Sequence, residues 1–445
     1  MAFCPFEKDN MGLVETIDAL IADWIDQPIP ELTPRHMVLA RVRGKVDAVV
    51  GMRRSGKTYL LYQEIARLRS SGVPLAQTLY VNFEDERLAP LDARDLHRIP
   101  DALYRRFPEV RGRECWFFFD EIQNVSGWER FVRRLVDAGR THVTVTGSSA
   151  RLLSREIATS LRGRSLATEL LPFSFAETLA HESIEVPRTW PAPARTRSLL
   201  ENRFAGYLER GGFPEVQRVS DDLRRRILQD YLDVVILRDV AERNGITNIP
   251  ALRALTRPLL RSPSGRFTVN RLYNDLRSQG VGVGKDALHA WVRHLEDAYL
   301  FFTVERHGGS IRQRQVNPRK CYLVDPGLAR AVSLPGVTDV GHVLENVVYL
   351  ELRRRGCTVG YVATAAGTEV NFHVHRSSGK PELVPVCASR ADAKTRAREL
   401  RAIADARQEL GPLPATVVTL HDDEQLEASD GAVRVVPAWR WLLES

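Results

Sequence analysis

Cysteine is scarce in this chain: Cys4, Cys115, Cys321, Cys357 and Cys387 are the whole supply in 445 residues. No two stand in a C-x-x-C spacing. That excludes a disulfide framework or a thiolate zinc site and points to a reducing cytoplasm. Lysine is scarce as well, seven of the 63 basic residues, so the rest are arginine. Arginine favours phosphate contacts, yet a GC-rich coding sequence makes the same replacement, so the excess supports nucleic-acid binding only weakly. No apolar run approaches a membrane span, and the N-terminal residues lack the charged-then-apolar layout of a secretory signal. Internal repeats and low-complexity tracts are lacking too. What is present is an ordinary soluble composition, 44% hydrophobic with a net charge of +7, in a chain long enough for several domains.

The most informative stretch is Gly51-Met52-Arg53-Arg54-Ser55-Gly56-Lys57-Thr58, which fits G-x-x-x-x-G-K-[ST]. The apolar run Val46 to Val50 precedes it and the amphipathic stretch Tyr59 to Arg69 follows. Strand, loop and helix in that order are the context a phosphate loop needs. A triphosphate is strongly hydrated, so a site must replace that solvation. Gly51 and Gly56 let the backbone turn and aim successive N–H groups inward, with Arg53, Arg54 and Ser55 between them. The helix starting near Lys57 adds its positive end. Lys57 should reach the β- and γ-phosphates, and the Thr58 hydroxyl should ligate Mg2+.

A second feature fits the same chemistry. Cys115-Trp116-Phe117-Phe118-Phe119 is a continuous apolar run that ends in Asp120 and Glu121. It reads as a strand buried on both faces, as in a parallel sheet. Asp120 is placed to hold Mg2+ through water, and Glu121 to act as general base on an attacking water. Thr78 to Phe83 and His142 to Thr146 read as further strands of that sheet. The former lies between the two motifs in the chain, as expected when the acid strand is not adjacent to the loop strand. Beyond His142 to Thr146, Ser148 is the first choice for a polar sensor of the γ-phosphate, with Thr146 as the fallback. Ser148 as cap of a helix over Ala150 to Ser160 is the competing reading.

Met11 to Arg43 reads as a helical lead-in broken by Pro28, Pro30 and Pro34. Glu182 to Arg197 reads as a connector. Helical periodicity dominates Leu199 to Arg243, interrupted by Gly211-Gly212-Phe213-Pro214. Helices over Leu252 to Leu260, Val269 to Ser278 and Lys285 to Tyr299, followed by a β-like stretch from Leu300 to Glu305, give the layout of a winged helix-turn-helix. On the third helix Lys285, His289 and Arg293 share one face, opposite Leu288, Trp291, Val292 and Leu295. The turn from Arg306 to Lys320 carries Arg306, Arg312, Arg314, Arg319 and Lys320 without an acid. It reads either as a basic wing on DNA phosphates or as a solvated, protein-docking loop. A helix over Glu345 to Arg355, strands over Val359 to Ala363, Glu369 to His375 and Glu382 to Cys387, and a helix over Thr395 to Arg407 follow.

Together these residues resemble a large family of bacterial and archaeal ATPases of the AAA superclass that join a P-loop domain to an uncharacterised C-terminal region. The resemblance rests on the loop from Gly51, on Asp120-Glu121-Ile122-Gln123 and on Thr146-Gly147-Ser148. It extends through Leu161-Arg162-Gly163-Arg164 with Leu171 to Phe175, Gly211 to Pro214, and Gly341 to Glu345. It implies an α/β fold class: a parallel-sheet P-loop (AAA-type) domain followed by a helical lid, a winged helix and a small α/β nuclease-like domain. The implied boundaries are a lead-in at 1–43, an ATPase core at 44–175, a lid at 176–245, a winged helix at 246–335 and a degenerate endonuclease-like domain at 336–445. The resemblance also implies an arginine that reaches a neighbour's γ-phosphate. Arg162 and Arg164 stand in that place, Arg164 being the choice for the finger, with simple pairing of both arginines to acids on the lid as the competing reading.

The last domain departs from a working nuclease. The fold it resembles uses an acid on the first helix, then Asp, then Glu-x-Lys, to hold Mg2+. Here Glu345 matches the first, Asn371 replaces the Asp, and Pro385-Val386-Cys387 replaces Glu-x-Lys. Metal binding there should fail. Asn371, His373 and His375 would share a strand face at period two, but no third acid or cysteine joins them, so the run reads as a half-exposed polar face.

The chain therefore reads as a cytoplasmic, ATP-binding, Mg2+-dependent ATPase. Lys57, Glu121 and Arg164 are its catalytic residues, and Thr58 and Asp120 its metal ligands. Its partners are ATP, double-stranded DNA through the winged helix, and further copies of itself, with no membrane. The alternative is a nucleotide-dependent switch engaging a protein partner, and an active nuclease is the disfavoured third.

Overall fold

The computed structural model describes residues 5–89, 91–148, 161, 163–308, 317–333, 339–377, 379–389, 393–428 and 431–444. The helix expected over Ala150 to Ser160, and Arg162, Arg312 and Arg314, lie outside the described residues. The chain divides into two compact units, Met1–Leu170 and Leu171–Ser445.

The first unit is built on five parallel strands. These are β1 (Val46–Val50), β2 (Thr78–Asn82), β3 (Cys115–Asp120), β4 (Thr141–Gly147) and β5 (Ser165–Glu169), in the order β2-β3-β4-β1-β5. Both faces are covered, so β1 is buried at every position and β3 at all but Trp116. That is why these segments read as unbroken apolar runs rather than alternating ones. Among the described residues its α-helices are α1 (Pro5–Asp26), α2 (Lys57–Ser70), α3 (Arg98–Arg106) and α4 (Trp128–Asp137). Trp24 near the end of α1 packs on Tyr62 and Tyr80, and its indole donates to Thr78 O at 3.3 Å. The sheet order leaves β4 between β1 and β3. The acid strand is thus one strand removed from the loop strand, and the α/β class expected from the sequence is what the unit has.

The second unit begins with α5 (Phe175–His181), α6 (Ala194–Arg210) and α7 (Asp221–Val234). Ser174 and Glu177 form a reciprocal capping box at the start of α5. Next come α8 (Ile249–Arg261), β6 (Arg266–Phe267), α9 (Val269–Ser278), α10 (Lys285–Asp297), β7 (Phe301–Val304) and β8 (Arg319–Leu323), the strands forming an antiparallel sheet with β8 central. Lys285, His289 and Arg293 are exposed on α10, while Leu288, Trp291, Val292 and Leu295 are buried. After α11 (Pro326–Val332) and α12 (Val340–Arg354) the chain forms a six-stranded mixed sheet. Its strands are β9 (Thr358–Ala363), β10 (Glu369–His375), β11 (Glu382–Val384), β12 (Ala415–Thr419), β13 (Glu424–Ala428) and β14 (Gly431–Pro437). Helix α13 (Ala393–Leu410) packs Ala402, Ile403 and Ala406 on Val370, Leu383, Val417 and Val433 of that sheet.

The basic turn needs correction at Lys320. Lys320 is only 3% exposed, because β8 is the central strand. Its ammonium meets Glu345 at 2.7 Å and Glu369 at 2.7 Å. A buried lysine needs such partners, and here two carboxylates supply them. Lys320 is therefore not offered to a phosphate. The Arg306 guanidinium donates to Ala363 O of β9.

Candidate nucleotide site

The carboxyl ends of β1, β3 and β4 converge on one set of polar side chains. Gly51 follows β1 where β5 closes in: Leu170 N–H donates to Val50 O at 2.6 Å, and a Cβ on Gly51 would lie 2.1 Å from Leu170 O. Only glycine fits there. Gly56, at φ +98, takes the left-handed turn that opens α2 and points its first N–H groups back into the loop. Arg35 steadies the loop from outside by donating to Ser55 O at 2.9 Å. Arg53 pairs with Glu84 at 2.9 Å, while Arg54 adopts φ +67. The Ser55 hydroxyl is buried and has no hydrogen-bond partner.

Lys57 is 5% exposed. Its ammonium donates to Gly51 O at 3.3 Å and Met52 O at 3.4 Å and meets Glu121 Oε1 at 3.2 Å. The Thr58 hydroxyl donates to Asp120 Oδ2 at 2.6 Å. Asp120 also accepts from Tyr80 OH at 2.9 Å and from the Thr146 hydroxyl. Thr146 in turn accepts from Glu121 N–H at 2.9 Å, so one hydroxyl joins both acids. Glu121 sits at φ +50, and Gln123 donates to its second oxygen. A non-glycine residue in that region is uncommon and is characteristic of functional turns.

The two acids are tuned apart. Burial raises the Asp120 carboxyl, and hydrogen bonds from Thr146 and Thr58 only partly offset it. Burial also works to raise Glu121, but Lys57, Gln123 and Arg53 together outweigh it and hold the carboxyl below its ordinary value. Glu121 is therefore a carboxylate at neutral pH, able to accept a proton or a hydrogen bond.

With that geometry in view, the comparisons are informative. Residues 43–179 match the family model described as an AAA domain, and residues 201–338 match a domain of unknown function, DUF8612. An uncharacterised protein of Methanocaldococcus jannaschii is 32% identical over 420 residues, covering 92% of this chain and 90% of that one. The chain belongs to this family of AAA-domain proteins. An uncharacterised protein of Haemophilus influenzae is 30% identical over 329 residues, covering 74% of this chain and 78% of its own. Among solved structures, the Aeropyrum pernix ORC2 protein in ADPNP and ADP complexes has a TM-score of 0.34 at 12% identity, covering 76% of this chain and 93% of that one. The Aeropyrum pernix ORC1 protein in complex with DNA has a TM-score of 0.27 at 14% identity, covering 73% and 91%.

Of the residues singled out from the sequence, Lys57, Thr58, Asp120 and Glu121 come together in this AAA domain. Ser148 is buried just past β4, but the hydroxyl that touches both acids is Thr146. Arg164 lies elsewhere. It precedes β5, which runs parallel to β1, and Val46 N–H donates to Arg164 O at 2.7 Å. That is the opposite end of the strands from Gly51, and its guanidinium pairs with Asp137 at the end of α4. Sequence reading assigned no role to Tyr80 or, beyond its place in the acid motif, to Gln123. Tyr80 is an ordinary strand residue in the sequence, and only the β2–β3 register brings it beside the acid strand.

Proposed function

We propose that this chain binds ATP with Mg2+ and hydrolyses it. The observation that carries the reading is the Thr58–Asp120–Thr146–Glu121 chain of hydrogen bonds beside Lys57. The residues present fit a magnesium-bound triphosphate: Ser55 offers a buried hydroxyl without a partner, and Thr58 and Asp120 offer adjacent hard oxygens. When bound, that group would supply the phosphoryl electrophile and a metal charge that offsets the negative charge of its phosphates. The loop N–H groups from Gly51 to Lys57 replace the phosphates' hydration, with Arg53 and Arg54 at the rim. With the group bound, Lys57 would exchange Glu121 for the phosphates, and Thr58 and Asp120 would hold the metal. Glu121 Oε1, released from Lys57, would be free to accept a proton from an attacking water, with Thr146 hydrogen-bonded to both acids. Ser148, two residues past Thr146, offers a second buried hydroxyl just beyond the end of β4.

Glu121→Gln keeps the shape and removes the base. It should lower ATP turnover by about 10²-fold or more while leaving ATP affinity within a few-fold. Unchanged turnover in a steady-state phosphate-release assay would remove Glu121 from this role.

A nucleotide-operated switch is the second reading, and the Lys57–Glu121 ion pair favours it, since occupancy of the loop and release of the acid are then one event. Domain roles follow the proposed plan of core, lid, winged helix and nuclease-like domain. The exposed Lys285, His289 and Arg293 face on α10 is the part suited to double-stranded DNA. The nuclease reading fares worst. Glu345 is 6% exposed and holds Lys320 and the Tyr322 hydroxyl, each at 2.7 Å, and Asn371 Oδ1 accepts from Val386 N–H at 2.8 Å. Plasmid DNA incubated with the protein and Mg2+ or Mn2+ should remain uncut on a gel.

A further inference from the structure

Three histidines of the second unit meet at the edge of its six-stranded sheet. His373 and His375 come from β10, and His307 from the segment after β7. One ring nitrogen from each lies within 4.8 Å of the others. The His307 and His373 ring centres are 3.9 Å apart, and those of His373 and His375 are 4.6 Å apart.

The backbone builds this meeting. The segment carrying His307 lies along β9: Tyr361 N–H donates to Glu305 O at 3.1 Å and His307 N–H donates to Tyr361 O at 2.7 Å. His373 faces Gly360 across the β9–β10 ladder. A Cβ on Gly360 would already touch Glu305 O and the His307 Cβ at 3.4 Å, so a longer side chain there would occupy the space His307 uses. The β9–β10 register shifts between Val370 and His373. Such irregularities re-aim side chains. Asn371, grouped with the two histidines by simple alternation, instead caps Val386 N–H.

His373 supplies a second, independent observation. It is 3% exposed, and its Nδ1 has no hydrogen-bond partner. A buried imidazole nitrogen without a partner is costly in a purely structural histidine.

The geometry points to a site for one divalent transition-metal ion, zinc foremost, held by His307, His373 and His375. Imidazole nitrogens suit zinc, which holds them at about 2.0–2.1 Å in a tetrahedron. That geometry spaces ligand nitrogens about 3.4 Å apart, so nitrogens within 4.8 Å need only modest ring rotations. Three protein ligands leave a fourth position, and exposed His375 opens it to solvent. The site is separate from the magnesium chemistry proposed at Thr58 and Asp120 and from the nuclease positions at Glu345 and Asn371.

Titrating the full-length, metal-stripped protein with Co2+ tests this directly. The wild type should take up one equivalent, develop the visible d–d bands of four-coordinate cobalt, and lose them when Zn2+ is added. His307→Ala and His375→Ala should each weaken uptake by at least about 100-fold, the upper end of what an outer-shell partner costs. His375 is exposed, so its variant tests ligation without emptying a core position; circular dichroism verifies its fold. Lys57→Ala should bind Co2+ like the wild type. Absence of stoichiometric uptake by the wild type, or uptake unchanged in the His307→Ala/His375→Ala double variant, would overturn the assignment.

Discussion

Thr146 shows how much one hydroxyl can organise. It donates to Asp120 and accepts from the Glu121 N–H, so neither acid moves independently of β4. Thr146→Val keeps the shape and removes both bonds. The buried Glu121 N–H then lacks a partner, which costs about 1–3 kcal/mol. Denaturant melts should register that loss, and ATP turnover should fall further than in Ser148→Ala. An equal effect in the two variants would return the sensor role to Ser148. The loop and the acids were legible in the sequence because phosphate chemistry fixes both residue type and spacing. Thr146 and Ser148 were harder to rank, because two residues near a strand end differ only in where the strand stops. His307 was invisible as a partner of His373, since nothing local to either position announces a contact between distant segments.

At the scale of elements, the Gly211-Gly212 turn has a clear structural task. Asp325 caps α11 by accepting from Gly327 N–H at 2.8 Å, and it accepts from Gly212 N–H at 2.5 Å. A Cβ on Gly211 would lie 1.9 Å from Asp325 Oδ1, and one on Gly212 2.1 Å from Phe173 O. Gly211 also holds φ +75, which favours glycine in its own right. Burial pushes the Asp325 carboxyl up to about 7, against the two N–H donors and Arg354, which lower it. In the unfolded chain it titrates near its ordinary value of about 3.9. Between those values the folded state holds the extra proton. This group's contribution is therefore full below the unfolded value and declines as pH rises toward 7, by up to about 1.4 kcal/mol per pH unit. Asp325→Asn cannot titrate. Its stability relative to the wild type should rise from pH 4 to 7 in parallel thermal melts, even though the amide pairs poorly with two donors. Apolar strands and amphipathic helices were legible here from periodicity. The burial of Lys320 was not, because its charge reads as surface until β8 is known to be central.

For the molecule as a whole, Arg164 sets the question of assembly. Within one chain it is bound to Asp137 and stands at the far end of the strands from the phosphate loop. If it stabilises a transferred phosphoryl group, it does so in a neighbouring copy. ATP turnover per chain should then rise with protein concentration, and Arg164→Ala should flatten that rise, with a loss of about 10³-fold or more in the assembled state. Adding duplex DNA to the same titration separates a DNA-coupled motor from a switch. A rate independent of concentration and of Arg164 would make each chain self-sufficient.

The lysine shared by Glu345 and Glu369 has a consequence for anyone hoping to rebuild a cutting enzyme. Installing Asn371→Asp, Pro385→Glu and Cys387→Lys would rewrite the letters of the lost motif. The remaining helix carboxylate would still be spoken for by Lys320 and Tyr322. Revival would require dismantling the joint between β8 and α12 first, and that joint now belongs to the scaffold.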